Sequence, residues 1–206
     1  MLTLDQFQET ILALSKKPGS KYDFVIKAGK SLHGALYRLC QAVWFSEQIP
    51  DTWKKSRLVQ AYKGKGEKSC LDNIRHLHIK EDIPKIFGHL VMSRAKDSLI
   101  SNMSKFQIGA KPGHMAQEHL FVIKSVLSLQ LCLDKPVFLS MWDVSKFFDR
   151  ESLRDCMNEV YKNQVRGKLY RLIFNMNNDT RTSVQTPVGV TNVCKIGESV
   201  GQGRAL

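Results

Sequence analysis

Two groups of residues in this chain have types and spacing that suit chemistry on phosphates. The run Val137-Phe138-Leu139-Ser140-Met141-Trp142-Asp143 is apolar and strand-like, ends on a carboxylate, and is followed six residues later by Asp149. An acidic group at the end of a buried strand costs desolvation unless a cation or a donor meets it. Asp143 is therefore a candidate metal ligand at the carboxyl end of a strand, where open sheets commonly bind ligands. The backbone carbonyl of Val144 could face the same cation. Asp149 reads instead as a cap for the helix carrying Ser152, Arg154 and Glu159. The second group is the basic, hairpin-like segment Leu58 to Arg75, with Lys63 and Lys65 on a glycine-bearing tip. Lysine is a movable point charge and arginine a planar fork, so Lys63, Lys65 and Arg75 suit a triphosphate.

Two glycine turns add to these. Phe106-Gln107-Ile108-Gly109, with Gly113 close behind, stands before a helix and could bring backbone amides near phosphate. Gly201-Gln202-Gly203 permits close backbone approach to a base pair or sugar.

The charge balance points the same way. Lys and Arg number 31 against 19 Asp and Glu, a net charge of +12. A field of this sign favours a polyanionic partner. The cations also cluster, with Lys54, Lys55, Arg57, Lys63, Lys65 and Lys68 inside fifteen residues. The five cysteines (40, 70, 132, 156 and 194) are scattered and contain no CxxC pair, the pattern of reduced thiols. No apolar run reaches the roughly 20 residues of a membrane span, and the start Met-Leu-Thr-Leu-Asp-Gln-Phe is not a secretory signal. An intracellular chain, cytoplasmic or nuclear and without a membrane partner, is expected.

The elements that must position these residues follow from periodicity. Helices are predicted over 3–15, 30–47, 82–103, 115–131, 151–162 and 166–177, where apolar residues recur at helical spacing. Arg57 to Tyr62 and 136–143 are predicted as strands, and Arg181 to Val193, rich in Thr and Val, as strand or hairpin. The mixture is α+β or α/β with irregular strand order.

In this order and spacing the segments resemble the reverse transcriptase domain of non-LTR retrotransposons. The likeness starts at Ile49-Pro50-Asp51-Thr52-Trp53-Lys54-Lys55 and continues through Tyr62-Lys63-Gly64-Lys65-Gly66 and Asn73-Ile74-Arg75-His76-Leu77. Ile86-Phe87, Gln107-Ile108-Gly109, Asp143-Val144-Ser145-Lys146-Phe147-Phe148-Asp149 and Gly201-Gln202-Gly203 complete it. It covers roughly residues 30–206. Ile74 and His76 depart from the family's Tyr and Pro. The family also continues, after its Gly-Gln-Gly turn, with Ser-Pro and an aromatic-x-Asp-Asp turn, whereas this sequence holds no Asp-Asp dipeptide.

The resemblance implies an α+β fold: right-hand polymerase fingers and an incomplete palm, helix-rich with a small mixed or antiparallel sheet. Residues 1–48 would be an N-terminal helical extension, 49–135 the fingers-like region and 136–206 a partial palm. The implied activity is RNA-directed DNA polymerisation by two-Mg²⁺ nucleotidyl transfer, with an RNA template, a DNA primer and dNTP as partners. Asp143 would ligate both ions and the Val144 carbonyl one of them, while Lys63, Lys65 and Arg75 grip the triphosphate. Phe148 matches the aromatic under the sugar, and Gln202 and Gly203 the turn near the template base. Lys54, Lys55, Arg57, Gln107 and Gly109 would meet nucleic acid. Two Mg²⁺ ions need more oxygens than one Asp and one carbonyl provide, so the second carboxylate cluster is expected beyond residue 206, and the 206 residues alone are expected to be inactive and poorly soluble. The alternatives are a nucleic-acid-binding remnant without chemistry and an RNA polymerase that copies RNA.

Overall fold

The computed structural model describes residues 2–16, 22, 25, 27–109, 111–144, 147–186 and 188–196, and the backbone alone of Phe148 and Asp149. Helix α1 (Leu4–Ser15) begins where extended Thr3 accepts the amide of Gln6, whose side chain returns to the Thr3 amide. This reciprocal pair satisfies two donors that the first turn leaves free. The helix then buries Phe7, Ile11 and Leu14, one stripe at spacings of four and three. Helix α2 (Gly29–Ser46) buries Cys40, Val43 and Trp44 and stops at Glu47, which takes the left-handed conformation at φ 58°. A short 3₁₀ turn, Asp51–Lys54, leads into strand β1 (Lys55–Tyr62). Strand β2 (Ile74–Ile79) returns beside it.

Helix α3 (Asp82–Ser101) carries Pro84 in its first turn, where a missing amide proton does no harm, and buries Ile86, Phe87, Leu90, Val91 and Ala95. Helix α4 (Ala116–Cys132) follows. After the single turn α5 (Phe147–Arg150) come α6 (Leu153–Lys162), with Met157 and Val160 inside, and α7 (Gly167–Asn177), with Leu172, Ile173 and Met176 inside. Strand β3 (Arg181–Thr186) and the two-residue strands β4 (Gly189–Val190) and β5 (Cys194–Lys195) close the described chain.

The result is α+β, helix-rich with a small mixed sheet. The strand order is β2-β1-β3-β4, with β5 also on β3. β1 runs antiparallel to β2 and parallel to β3, while β4 and β5 are antiparallel to β3. One apolar core takes residues from α1, α2, α3, α6 and α7, centred on the fully buried Phe7, Phe87 and Leu172. The core thus draws on all three segments of the expected domain division. Trp53 lays its ring 5.5 Å from that of Phe87 and ties the start of β1 to the core. Glu47 adds a polar clamp. Its carboxylate takes two hydrogen bonds from Arg171 at 2.5 and 2.9 Å, and Asn175 donates to its carbonyl at 3.1 Å. The end of α2 is thereby fixed to α7.

The expected helices lie within a few residues of those observed. The strand expected over 136–143 is absent: residues 133–144 form neither helix nor strand, and every one is exposed. β1 is flanked on both sides, and β3 pairs with β1, β4 and β5. Residues 136–144 pair with none of these strands. Asp149 is likewise not the cap of the following helix. Ser152 has the extended cap conformation, and its hydroxyl accepts the amides of Arg154 and Asp155 at 3.1 and 3.3 Å.

Candidate nucleic-acid and nucleotide site

The basic half of the expected site is built on the β1-β2 hairpin. Opposed residues share a face, so the register Arg57↔Ile79, Val59↔Leu77 and Ala61↔Arg75 puts Arg57 and Arg75 on one side of the sheet. β3 extends that side, since Lys55 pairs with Arg181 and Arg57 with Ser183. Lys55, Arg57, Arg75 and Arg181 thus form an exposed basic face with Val59, Ala61 and Leu77 between them. Arg57 lies 3.9 Å from Glu81, and the exposure of both groups makes that pair weak. The opposite face turns inward. Ser56 is buried there and its hydroxyl lies 3.3 Å from His78 Nδ1, from the Arg181 carbonyl and from Thr182 Oγ1, which joins three strands at one point. Polar groups buried in this way hold register, because leaving them unpaired is costly.

The tip of the hairpin is a tight construction. The Lys63 amide bonds to the Asn73 carbonyl at 2.8 Å, and the Lys63 ammonium donates to the Asp72 carbonyl at 2.7 Å. Gly64 and Gly66 have φ of 80° and 74°, a region open to glycine at little cost. A Cβ on Gly66 would stand 2.4 Å from Asn73 Nδ2, so this glycine is fixed twice over, by conformation and by space. Asn73 uses that same nitrogen to reach the Glu67 carbonyl at 3.0 Å. Lys65 therefore projects from a turn held from both sides, and Lys68 lies over the Tyr62 ring at 5.7 Å. The turn stands at the same end of the hairpin as Arg75, which faces Ala61 one residue from Tyr62.

Sequence reasoning missed Arg181. A strand was expected there, but a parallel partner more than a hundred residues upstream leaves no local signal. Beside it Asp179, at φ 54°, accepts a hydrogen bond from Lys195 at 2.9 Å and lies 3.6 Å from Arg181. The Lys195 hydrogen bond, then the charges of Lys195, Arg181 and Lys54, holds the Asp179 carboxyl below its ordinary range. Lys54 sits half-buried at the root of β1.

Gln107 and Gly109 are exposed in the loop after α3, where the Gln107 amide closes a turn on the Ser104 carbonyl at 3.0 Å. The positive φ of this loop belongs to Gly113, at 81°, and not to Gly109. Among the described residues, Asp143 makes no hydrogen bond or ion pair, and Val144 beside it is 62% exposed. No group of three or more His, Cys, Asp or Glu that could hold a metal ion occurs among the described residues. Asp143 and the Val144 carbonyl fall short of the six oxygens that each Mg²⁺ takes, so these residues alone do not compose a metal site. The side chain of Phe148 and the residues Gln202 and Gly203 lie outside the described residues. Among the described residues, no helix is long and apolar enough to cross a membrane. Set against known proteins, the chain matches no family model and no curated protein.

Proposed function

We propose that this chain is the fingers-like region and part of the palm of a reverse transcriptase of the non-LTR retrotransposon kind, and that its basic sheet face holds nucleic acid and a triphosphate. One observation carries the reading: the hairpin register sets Arg75 beside the glycine-held turn bearing Lys63 and Lys65. A planar fork and two ammonium groups at one end of a strand pair can neutralise a triphosphate from two directions. Lys54, Lys55, Arg57 and Arg181 continue the positive surface along the sheet towards a phosphodiester backbone. Asp143 and Val144 are the ligands this chain would contribute to Mg²⁺, whose chemistry would be charge neutralisation at the transferred phosphate. The chain's own groups bind and orient.

The test is binding. Fluorescence anisotropy with a primed RNA template should show affinity that falls steeply with salt. Arg75→Ala and Lys65→Ala should each lower the slope of log affinity against log salt by about one where they meet a phosphate. Triphosphate competition should weaken in the same two variants. Affinity that is flat in salt, or untouched by both substitutions, sinks the proposal. The bare position of Asp143 favours one second reading, a module that binds nucleic acid without chemistry. RNA affinity that survives Asp143→Ala and needs no Mg²⁺, in a chain that also ignores triphosphate, selects that reading.

A further inference from the structure

Between α6, α7 and the end of β5 lies a pocket of about 740 Å³, within the roughly 300–1,000 Å³ of ordinary ligand sites. Part of its wall is apolar and aromatic. Met157 comes from α6, Tyr170 and Phe174 stand one turn apart on α7, and Ile196 follows β5. The Tyr170 ring is braced edge to face by that of Tyr161 at 5.9 Å. The rest of the wall is polar. Asn177 is 5% exposed and donates its amide nitrogen to the Ile173 carbonyl at 2.9 Å. Its amide oxygen accepts no hydrogen bond among the described residues and is not sealed from solvent, so it opens on the pocket that Asn177 lines. An acceptor this deep suits a ligand that brings a donor, because burying it unmet is costly.

Two observations narrow the occupant. The first is continuity with the basic sheet face. Arg181 and Lys195 are directly opposed in the β3-β5 pair, so Lys195 shares the side of the sheet that carries Lys55 and Arg57. Lys195 is also part of the pocket wall, and Asp179 holds its ammonium at 2.9 Å. Across from it Arg154, on α6, lines the same pocket with a guanidinium that makes no hydrogen bond or ion pair among the described residues. The second observation is the pairing of rings with amides. Unpaired bases are held by stacking on aromatic side chains and by hydrogen bonds to their edges. An apolar ligand would leave Asn177 unmet, and a bare phosphate would leave Tyr170 and Phe174 unused.

We propose that this pocket takes one unpaired nucleobase of the strand lying on the basic face. The base enters against Tyr170 and Phe174, its edge donates to the Asn177 oxygen, and Arg154 and Lys195 hold the flanking phosphates. The inference rests on the nucleic-acid reading of that face.

Anisotropy titrations of the whole chain with two RNA strands of equal length test it, one ordinary and one with tetrahydrofuran spacers in place of its bases. Both carry the same phosphates, so a purely ionic surface binds them alike. The ordinary strand should bind about tenfold tighter, the usual effect of a stacked base. Tyr170→Leu and Arg154→Ala should each narrow that gap and leave the affinity for the spacer strand unchanged. Arg154 is exposed and its side chain is unbonded among the described residues, so its variant keeps the fold, which a urea melt checks. Phe45→Leu, which removes a ring 54% exposed outside the pocket, should keep the gap whole. Salt-dependent binding that is equal for the two strands, or a gap that survives both pocket variants, overturns the inference and leaves the basic face standing. Binding to neither strand overturns both.

Discussion

The basic hairpin and the Asp143 segment carry the two halves of one expected chemistry, and the fold treats them differently. The hairpin is finished. β2 and β3 flank β1, Ser56 pins the register from inside, and Gly66 and Asn73 interlock at the tip. The Asp143 segment has no strand partner, no buried side chain and no ion pair among the described residues. What separates them is the distance to their supports. The hairpin's own two strands and tip lie within twenty-five residues of one another in sequence, so closing that loop costs little, although β3 joins from more than a hundred residues away. A strand at 136–143 needs neighbours from afar, and it pairs with no strand of the sheet.

The contrast is broken most easily through the core. Phe87 is fully buried against Trp53, and Phe138 is almost wholly exposed. Phe87→Ala should destabilise by about 3–5 kcal/mol, the usual cost of emptying a phenylalanine site. Phe138→Ala should stay within about 0.5 kcal/mol. Urea melts of the two variants make the comparison. A Phe138→Ala loss above about 1 kcal/mol places that ring in a core and removes the contrast.

Within the hairpin, Gly66→Ala combines an unfavourable φ with the 2.4 Å clash against Asn73, whereas Gly64→Ala meets open space at a similar φ. The first should cost about 2–3 kcal/mol and the second about 1 kcal/mol. Equal costs would show that Asn73 does not buttress the turn.

These two tests also mark what was legible in the sequence. Helix ends and apolar stripes were readable because their causes are local: Leu172, Ile173 and Met176 fall on one face of a short window, and so do Phe7, Ile11 and Leu14. The turn at Gly64-Lys65-Gly66 was readable for the same reason, but its bracing by Asn73 and the pairing of Arg75 with Ala61 were not. The neighbour of β1 was not, because Arg181 reaches Lys55 from more than a hundred residues away. Nor was the fate of 136–143. An apolar run declares that it can pair, but only the sheet decides whether it does. Ser152 displaced Asp149 as the cap for a local reason that could have been weighed: it stands next to the first helical residue.

The clamp that closes α2 onto α7 gives a pH test. Hydrogen bonds from Arg171, then the charges of Arg171 and Lys168, hold the Glu47 carboxyl below its ordinary 4.5. A carboxylate depressed in the folded state adds stability that is complete above the unfolded value and is lost as pH falls through the folded one. Melting temperature should therefore drop on acidification below about 4.5, and Glu47→Gln should flatten part of that drop while lowering stability at neutral pH. Arg171 is more than half exposed, so the effect should be smaller than either glycine change. An acid limb identical in both proteins removes Glu47 from the account.

The smallest expected effect belongs to Asp143, the residue with the most suggestive sequence. With no partner among the described residues, Asp143→Ala removes no folded-state interaction, and stability should stay within about 0.5 kcal/mol. RNA affinity should hold or rise slightly, because one negative charge leaves a positive chain. Amides of residues 137–144 should exchange at rates close to those of an open chain, since no ladder protects them. Protection of those amides, together with a loss of more than about 1 kcal/mol in the variant, would place the segment in a sheet in solution. Asp143 would then stand where the hairpin's Lys63, Lys65 and Arg75 already stand, on a strand whose neighbours hold it in place.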